Sequence, residues 1–360
     1  MSTRPAGKAG SWYDGDPESL DEQLDEFLEA VPDAIDGVSL PVTGARVIIA
    51  PHAGYSWSGK CAAWAYKSLD LSNIKRVFLL GPTHTYAFDA CHLSTFEKYS
   101  TPFGDLTVDR KVIDDIKKEG ERLSIPTDDM KKGSPREPRR GGEVHEHSLE
   151  MHLPYLYKMC EEKFDDPKYF PVIVPVLIGM RSRVDNMGMD SNQQKKAREA
   201  DEKDHKEKEA NYGRLFAPYL SDPGNAFIVS SDFCHWSFSA FDYAPYSPTN
   251  DLNNWTHLYP GDQTPKGPPI HETIKFFDTH AMDTVESGSH AGFCESVKFT
   301  GNTICGKHPI GTMLAALEEH AKSQGIQEKI KFKVVQYDRS GLVTKPDGHS
   351  VSYVSAYAVV

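Results

Sequence analysis

Apolar positions follow two rhythms along the chain. Short, nearly unbroken apolar stretches predict strands at Ala45 to Ala50, Arg76 to Leu80, Pro171 to Ile178, Ala226 to Ser230, Ile330 to Tyr337 and Val351 to Val359. Apolar residues three and four apart predict helices at Pro17 to Val31, Gly59 to Leu69, Ser148 to Glu162, Tyr212 to Leu220, Ile270 to Val285 and Ile310 to His320. Strand-like and helix-like segments alternate throughout with no internal repeat, which is the pattern of an α/β fold. A single domain over residues 1–360 is expected, because α/β folds often reach this length as one unit.

Three polar stretches interrupt the rhythm. Residues 119–143 read as a loop whose Arg136, Arg139 and Arg140 could grip an anion. Residues 183–210 are dense in Lys, Glu and Asp and read as a solvated insertion, helical or disordered, that decorates the fold. Residues 241–269 form a third long loop, with the insertion proper at 247–268. Its Tyr243, Tyr246, Trp255 and Tyr259 should pack down on the core or on a ligand mouth.

Composition narrows the class. The content is 39% hydrophobic and 26% charged, and no apolar run approaches the roughly 20 residues of a membrane helix. The first residues lack the apolar stretch of a secretory signal, so a cytoplasmic protein, with the nucleus as a second location, is expected. Six scattered cysteines without CxxC pairs read as free thiols. A net charge of −12 argues against nucleic-acid binding. No glycine-rich nucleotide signature is present.

The chemistry lies where strands end. Arg46-Val-Ile-Ile-Ala-Pro-His52, Arg76-Val-Phe-Leu-Leu-Gly-Pro-Thr-His84 and Phe227-Ile-Val-Ser-Ser-Asp232-Phe-Cys-His235 each carry an apolar strand straight into histidine or aspartate. In open α/β sheets the loops beyond the carboxyl ends of the strands meet on one side, where ligands bind. A fourth contributor is Cys305, just ahead of a predicted helix and beside Lys307 and His308. That setting should lower its pKa and make it the one reactive cysteine, the other five being buried small residues. A fifth cluster runs from Glu143 to Pro154. There His147 either lines a pocket or stands at a helix mouth capped by Ser148, and His152 leans to a structural role. The spacing is not HExxH, so a zinc protease is disfavoured.

The runs Gly10-Ser-Trp-Tyr13, Ala50-Pro-His-Ala-Gly-Tyr55, Gly81-Pro-Thr-His84, Glu146-His-Ser-Leu-Glu-Met-His-Leu-Pro154, Ser230-Ser-Asp-Phe-Cys-His-Trp236 and Asn302-Thr-Ile-Cys-Gly-Lys-His-Pro-Ile-Gly311 resemble those of the Memo family, mediators of receptor-driven cell motility. The resemblance covers nearly the whole chain. It implies a central mixed sheet flanked by helices, similar to class III non-haem iron extradiol dioxygenases. It further implies His52, His84 and Cys305 as metal ligands, with Asp232 and His235 as further pocket residues. Tyr55, His147 and His308 are candidates to line the same pocket.

Ligand softness selects the metal. Two imidazoles with a thiolate suit copper, in its cuprous state, or zinc, whereas a carboxylate in place of the thiolate would bring iron back. The leading expectation is a metal-binding protein with oxidase-like or metal-sequestering activity, its catalytic groups being Asp232, His235 and Cys305. Extradiol cleavage is disfavoured. The alternative is a non-enzymatic adaptor that holds phosphorylated or acidic peptides of signalling proteins in the same pocket. A third arrangement, a cysteine hydrolase with Cys305, His235 and Asp232, leaves His52 and His84 without a role.

Overall fold

The computed structural model describes residues 2–133, 141–180 and 191–360. Four strands, Ala45–Ala50, Asn225–Ser230, Arg76–Pro82 and Val172–Gly179, lie side by side in that order, and every pair is parallel. Their side chains are almost all buried, as expected for strands covered on both faces, and this is why they read as continuous apolar runs. Five further strands complete the nine-stranded sheet, all through antiparallel pairs except Ala90–Leu93 with Thr127–Asp129, which is parallel. Ser350–Val359 pairs with Ala45–Ala50, and Asp232–Trp236 and Phe332–Arg339 pair with Ser350–Val359. At the other side Ala90–Leu93 runs antiparallel to Val172–Gly179, followed by the short strand Thr127–Asp129.

Helices flank the sheet. Tyr55–Ser68 packs on Ala45–Ala50 and Ser350–Val359, with Pro17–Glu29 and Leu153–Lys163 against it. Lys307–Ser323 packs on the central parallel strands and carries Ser191–Leu220 along its outer side. The mixed sheet and single domain match the expected fold class.

Several boundaries differ from the sequence reading, each for a physical reason. The helix expected from Ser148 begins only at Leu153, after a 3-10 turn at Glu150–His152, and Ser148 instead ties the segment to the strand by donating its hydroxyl to the carbonyl of Pro82. The 119–143 stretch is not one loop: it opens with the end of helix Arg110–Leu123 and holds the strand Thr127–Asp129. That helix escaped the pattern because it buries only Val112, Ile113, Ile116 and Gly120. Arg136, Arg139 and Arg140 lie outside the described residues. The stretch 241–269 contains a hairpin, Pro245–Asp251 with Asn254–His257. Its Tyr243, Tyr246 and Leu258 close a second apolar cluster around Trp236, so these aromatics cover core. The described part of the charged insertion belongs to helix Ser191–Leu220, and it is not merely solvated, since Glu209 is buried within it.

Candidate metal centre

The parallel strands all release their chains at one edge of the sheet. Ala45–Ala50 leads to His52, Arg76–Pro82 to His84, and Asn225–Ser230 to Asp232. The cleft there, about 500 Å³, is lined by these residues with His147, His235 and Cys305, together with Trp12, Phe241 and Thr303. One ligand atom each from His52, His84 and Cys305 lies within 4.8 Å of the other two. The imidazoles cluster closely, with ring centroids 5.2 Å apart for His52 and His84 and 4.3 Å for the stacked pair His84 and His147.

Hydrogen bonds decide which nitrogen each ring offers. Ser230 donates its only hydroxyl proton to the carbonyl of Ser148 at 2.6 Å, so it can only accept from Nδ1 of His52, 2.6 Å away. His52 is therefore protonated at Nδ1 and turns a lone pair on Nε2 toward Cys305 Sγ, 3.1 Å distant. Glu146 performs the same service for His84: its Oε1 faces Nδ1 at 3.1 Å and its Oε2 accepts from the His84 backbone N–H at 2.6 Å. For His235 the acceptors are the carbonyls of Phe233 and Thr303, at 2.8 and 3.1 Å from Nδ1. Three histidines thus carry a fixed Nδ1–H and a free Nε2, the state in which imidazole ligates metals.

The electrostatics agree with neutral imidazoles. Burial, reinforced by the neighbouring His84 and His147, lowers the His52 pKa well below the usual 6.5. Burial and His84 bring His147 down to about 3. Burial alone would raise the Glu146 carboxyl, but the bonds and charges of His84 and His147 outweigh it and hold Glu146 at about 2. Asp232 is raised by burial, opposed by His235 and by the His52 backbone N–H that its Oδ1 accepts at 2.8 Å.

Cys305 corrects the expectation of an acidified thiol. It precedes Gly306, the cap of helix Lys307–Ser323, yet burial and the adjacent Asp232 push its pKa well above the ordinary value. Lys307 and His308 do not help, because they line a different cavity. The Asp232 backbone N–H, 3.3 Å from Sγ, is the nearest donor to the sulfur. Such a thiol becomes a thiolate when a cation displaces its proton.

The remaining expected residues are distributed as follows. His147 lines the cleft, its ring tilted against Trp12 with centroids 4.4 Å apart and its Nδ1 3.6 Å from Glu146 Oε1. Asp232 and His235 form a second potential ligand set with Cys305. Tyr55 stands behind the wall, where its hydroxyl donates to the Met151 carbonyl. His152 is buried beside Tyr66, its Nδ1 2.7 Å from the Tyr66 hydroxyl. His308 binds Glu209 and is not in this cleft. Sequence reasoning passed over Ser230, Glu146 and Trp12 as working residues. Only their adjacency to the histidine and aspartate runs could have drawn attention to them.

The donor set suits a metal: two imidazoles with oriented, unprotonated Nε2 atoms and a sulfur converge, while Ser230 and Glu146 brace the rings from behind. A model of the Memo-like protein family matches residues 4–204 and 201–357 of the chain. Protein MEMO1 of Xenopus tropicalis is 36% identical over 359 residues, covering 99% of this chain and 97% of that protein. Protein MEMO1 of Homo sapiens is 34% identical with the same coverage of both chains. The memo-1 homolog of Caenorhabditis elegans is 35% identical over 99% of this chain and 83% of its own length.

Proposed function

The chain belongs to the Memo family, and on that premise we propose that it holds copper through His52, His84 and Cys305 and supports oxidase-like redox chemistry or sequestration of the metal. The observation that carries this reading is the pair of free Nε2 atoms, set by Ser230 and Glu146, beside a sulfur. Two imidazoles and a thiolate favour copper, with zinc or iron as weaker competitors. Bound copper would supply one-electron chemistry. The similarity in fold to extradiol dioxygenases that the family resemblance implies belongs to the same proposal, but a sulfur in place of a carboxylate argues against ring cleavage.

The chain's own residues supply the rest. His52 and His84 bind and Cys305 contributes the sulfur. His235 offers Nε2 as a proton acceptor, and Asp232, whose pKa burial raises, lines the same cleft. Trp12 and Phe241 add apolar surface to the cleft. The cysteine-hydrolase arrangement is weakened by the same burial that keeps the Cys305 thiol protonated. An adaptor for phosphorylated or acidic peptides would need cationic groups, whereas the buried His52 and His147 are neutral lone-pair donors. The proposed setting is the cytoplasm, in cell motility or cytoskeletal signalling; no helix among the described residues is long and apolar enough to cross a membrane.

Elemental analysis of protein isolated without added metal tests the reading. Copper should be found in the parent, and His84→Ala should weaken its retention by about 100-fold or more, since even residues that only orient a ligand contribute 10–100-fold. A parent free of copper, iron and zinc, with His52→Ala and Cys305→Ala behaving identically to it, would overturn the proposal.

A further inference from the structure

Helix Ser191–Leu220 brings a carboxylate into the protein interior. Glu209 is 4% exposed, and no lysine or arginine hydrogen-bonds it among the described residues. Room for it is made by Gly311 on the neighbouring helix, where any Cβ would overlap the carboxylate. His308 Nδ1 holds Oε1 at 2.7 Å. The other oxygen, Oε2, faces His290 Nε2 at 2.7 Å and Cys294 Sγ at 3.2 Å, both from helix His290–Thr300. One ligand atom each from Glu209, His290 and Cys294 lies within 4.8 Å of the other two.

From this geometry we propose a second metal site, formed by Glu209, His290 and Cys294 and separate from the strand-end centre, that binds a divalent cation of the zinc type. Imidazole nitrogen, thiolate and carboxylate oxygen are the three donor types zinc accepts, and three protein ligands leave its fourth position open. Two of the three ligands, Glu209 and Cys294, line a cavity of about 190 Å³. Asn302 lines this cavity, and its buried Oδ1 has no hydrogen-bond partner.

Charge supports the assignment. A buried carboxylate is costly unless compensated; the groups that hydrogen-bond it are two imidazoles and a thiol, and the Lys307 ammonium in the same cavity also acts on it. A dication bound to one carboxylate and one thiolate leaves no net charge on the ion and its ligands. The balance is simple: the Cys294 thiol gives up its proton to solvent, the His290 proton on Nε2 yields its place by a shift to Nδ1, and a sulfur–metal and a nitrogen–metal bond form. In the metal-free protein those two protons occupy the metal's place, which is why both groups crowd Oε2. His308 acts from outside, fixing the carboxylate as residues behind a metal ligand do.

The test uses the full chain carrying His52→Ala and Cys305→Ala, so that failure of the strand-end centre cannot mask the result. Titrated with zinc ion alone, this protein should still take up the metal, and addition of Cys294→Ala should abolish uptake. His308→Ala should weaken it by about 10–100-fold. Zinc should also slow alkylation of Cys294 by iodoacetamide at least about tenfold, read by mass spectrometry of its peptide, with the slowing lost when zinc is removed. This second measurement needs no substitution at Cys294 and decides the matter even if Cys294→Ala does not fold. Absence of zinc uptake, uptake indifferent to Cys294→Ala in a folded protein, or unprotected Cys294 would each overturn the site.

Discussion

A single hydroxyl determines what His52 can offer. Because Ser230 gives its proton to the Ser148 carbonyl, the ring must place its own proton on Nδ1, and Nε2 is left to face Cys305. Ser230→Ala removes this instruction without touching a ligand. Metal affinity of the strand-end centre should fall about 10–100-fold with the thermal midpoint little changed; unaltered affinity in a competition titration would contradict the orienting role. Cys305 teaches a related lesson about reading motifs. A cysteine before a helix beside Lys307 and His308 looks acidified, yet burial and Asp232 raise its pKa, so it is read better as a ligand than as a nucleophile.

Elements carry these residues to their meeting point. Four parallel strands all end at one edge, so three strand-end loops deliver His52, His84 and Asp232 together. Packing between helices has its own requirements. Gly59 in helix Tyr55–Ser68 receives the ring of Phe27 from helix Pro17–Glu29, with Phe27 Cδ2 2.9 Å from where a Cβ would stand. Gly59→Ala should therefore force the helices apart and destabilise the protein by about 1–3 kcal/mol, as overpacking of a filled core does. Chemical denaturation measures this, and a neutral or stabilising effect would mean that Phe27 can rotate away without cost. Gly81 serves the site in a similar way, since a Cβ there would come within 2.7 Å of Leu149 and 2.8 Å of Ser148 and push the His147 segment off the strand.

At the scale of the whole molecule, the buried titratable groups set the pH range of stability. His147 and His152 fall from the usual 6.5 to about 3 in the folded state, burial being the first cause in both. Each binds its proton more readily when unfolded, so its contribution is complete above pH 6.5 and is lost as pH falls toward 3. Glu146, lowered from 4.5 to about 2, extends the loss at the acid end. The metal-free protein should lose about 1 kcal/mol of stability per pH unit for each such histidine across that window. Thermal unfolding followed from pH 7.5 to 4 measures this, and a constant midpoint would show that the rings gain solvent before the protein unfolds.

Much of the architecture was legible in the chain itself. Unbroken apolar runs marked Ala45–Ala50, Arg76–Pro82 and Asn225–Ser230 because strands buried on both faces need no polar alternation, and the histidines and aspartate after them announced a strand-end site. These are properties of near neighbours, which a sequence records directly. Hydrogen-bond partners and burial are not. The groups that orient His52 and His84 lie 178 and 62 residues away, and Glu209 meets His308 across 99. Glu209 looked like one acidic residue among many in a charged stretch until the helices closed around it. The free nitrogen of each ring, the basicity of Cys305 and the second cluster were decided by the tertiary structure, because each depends on which distant groups exclude water and which supply or withhold a proton.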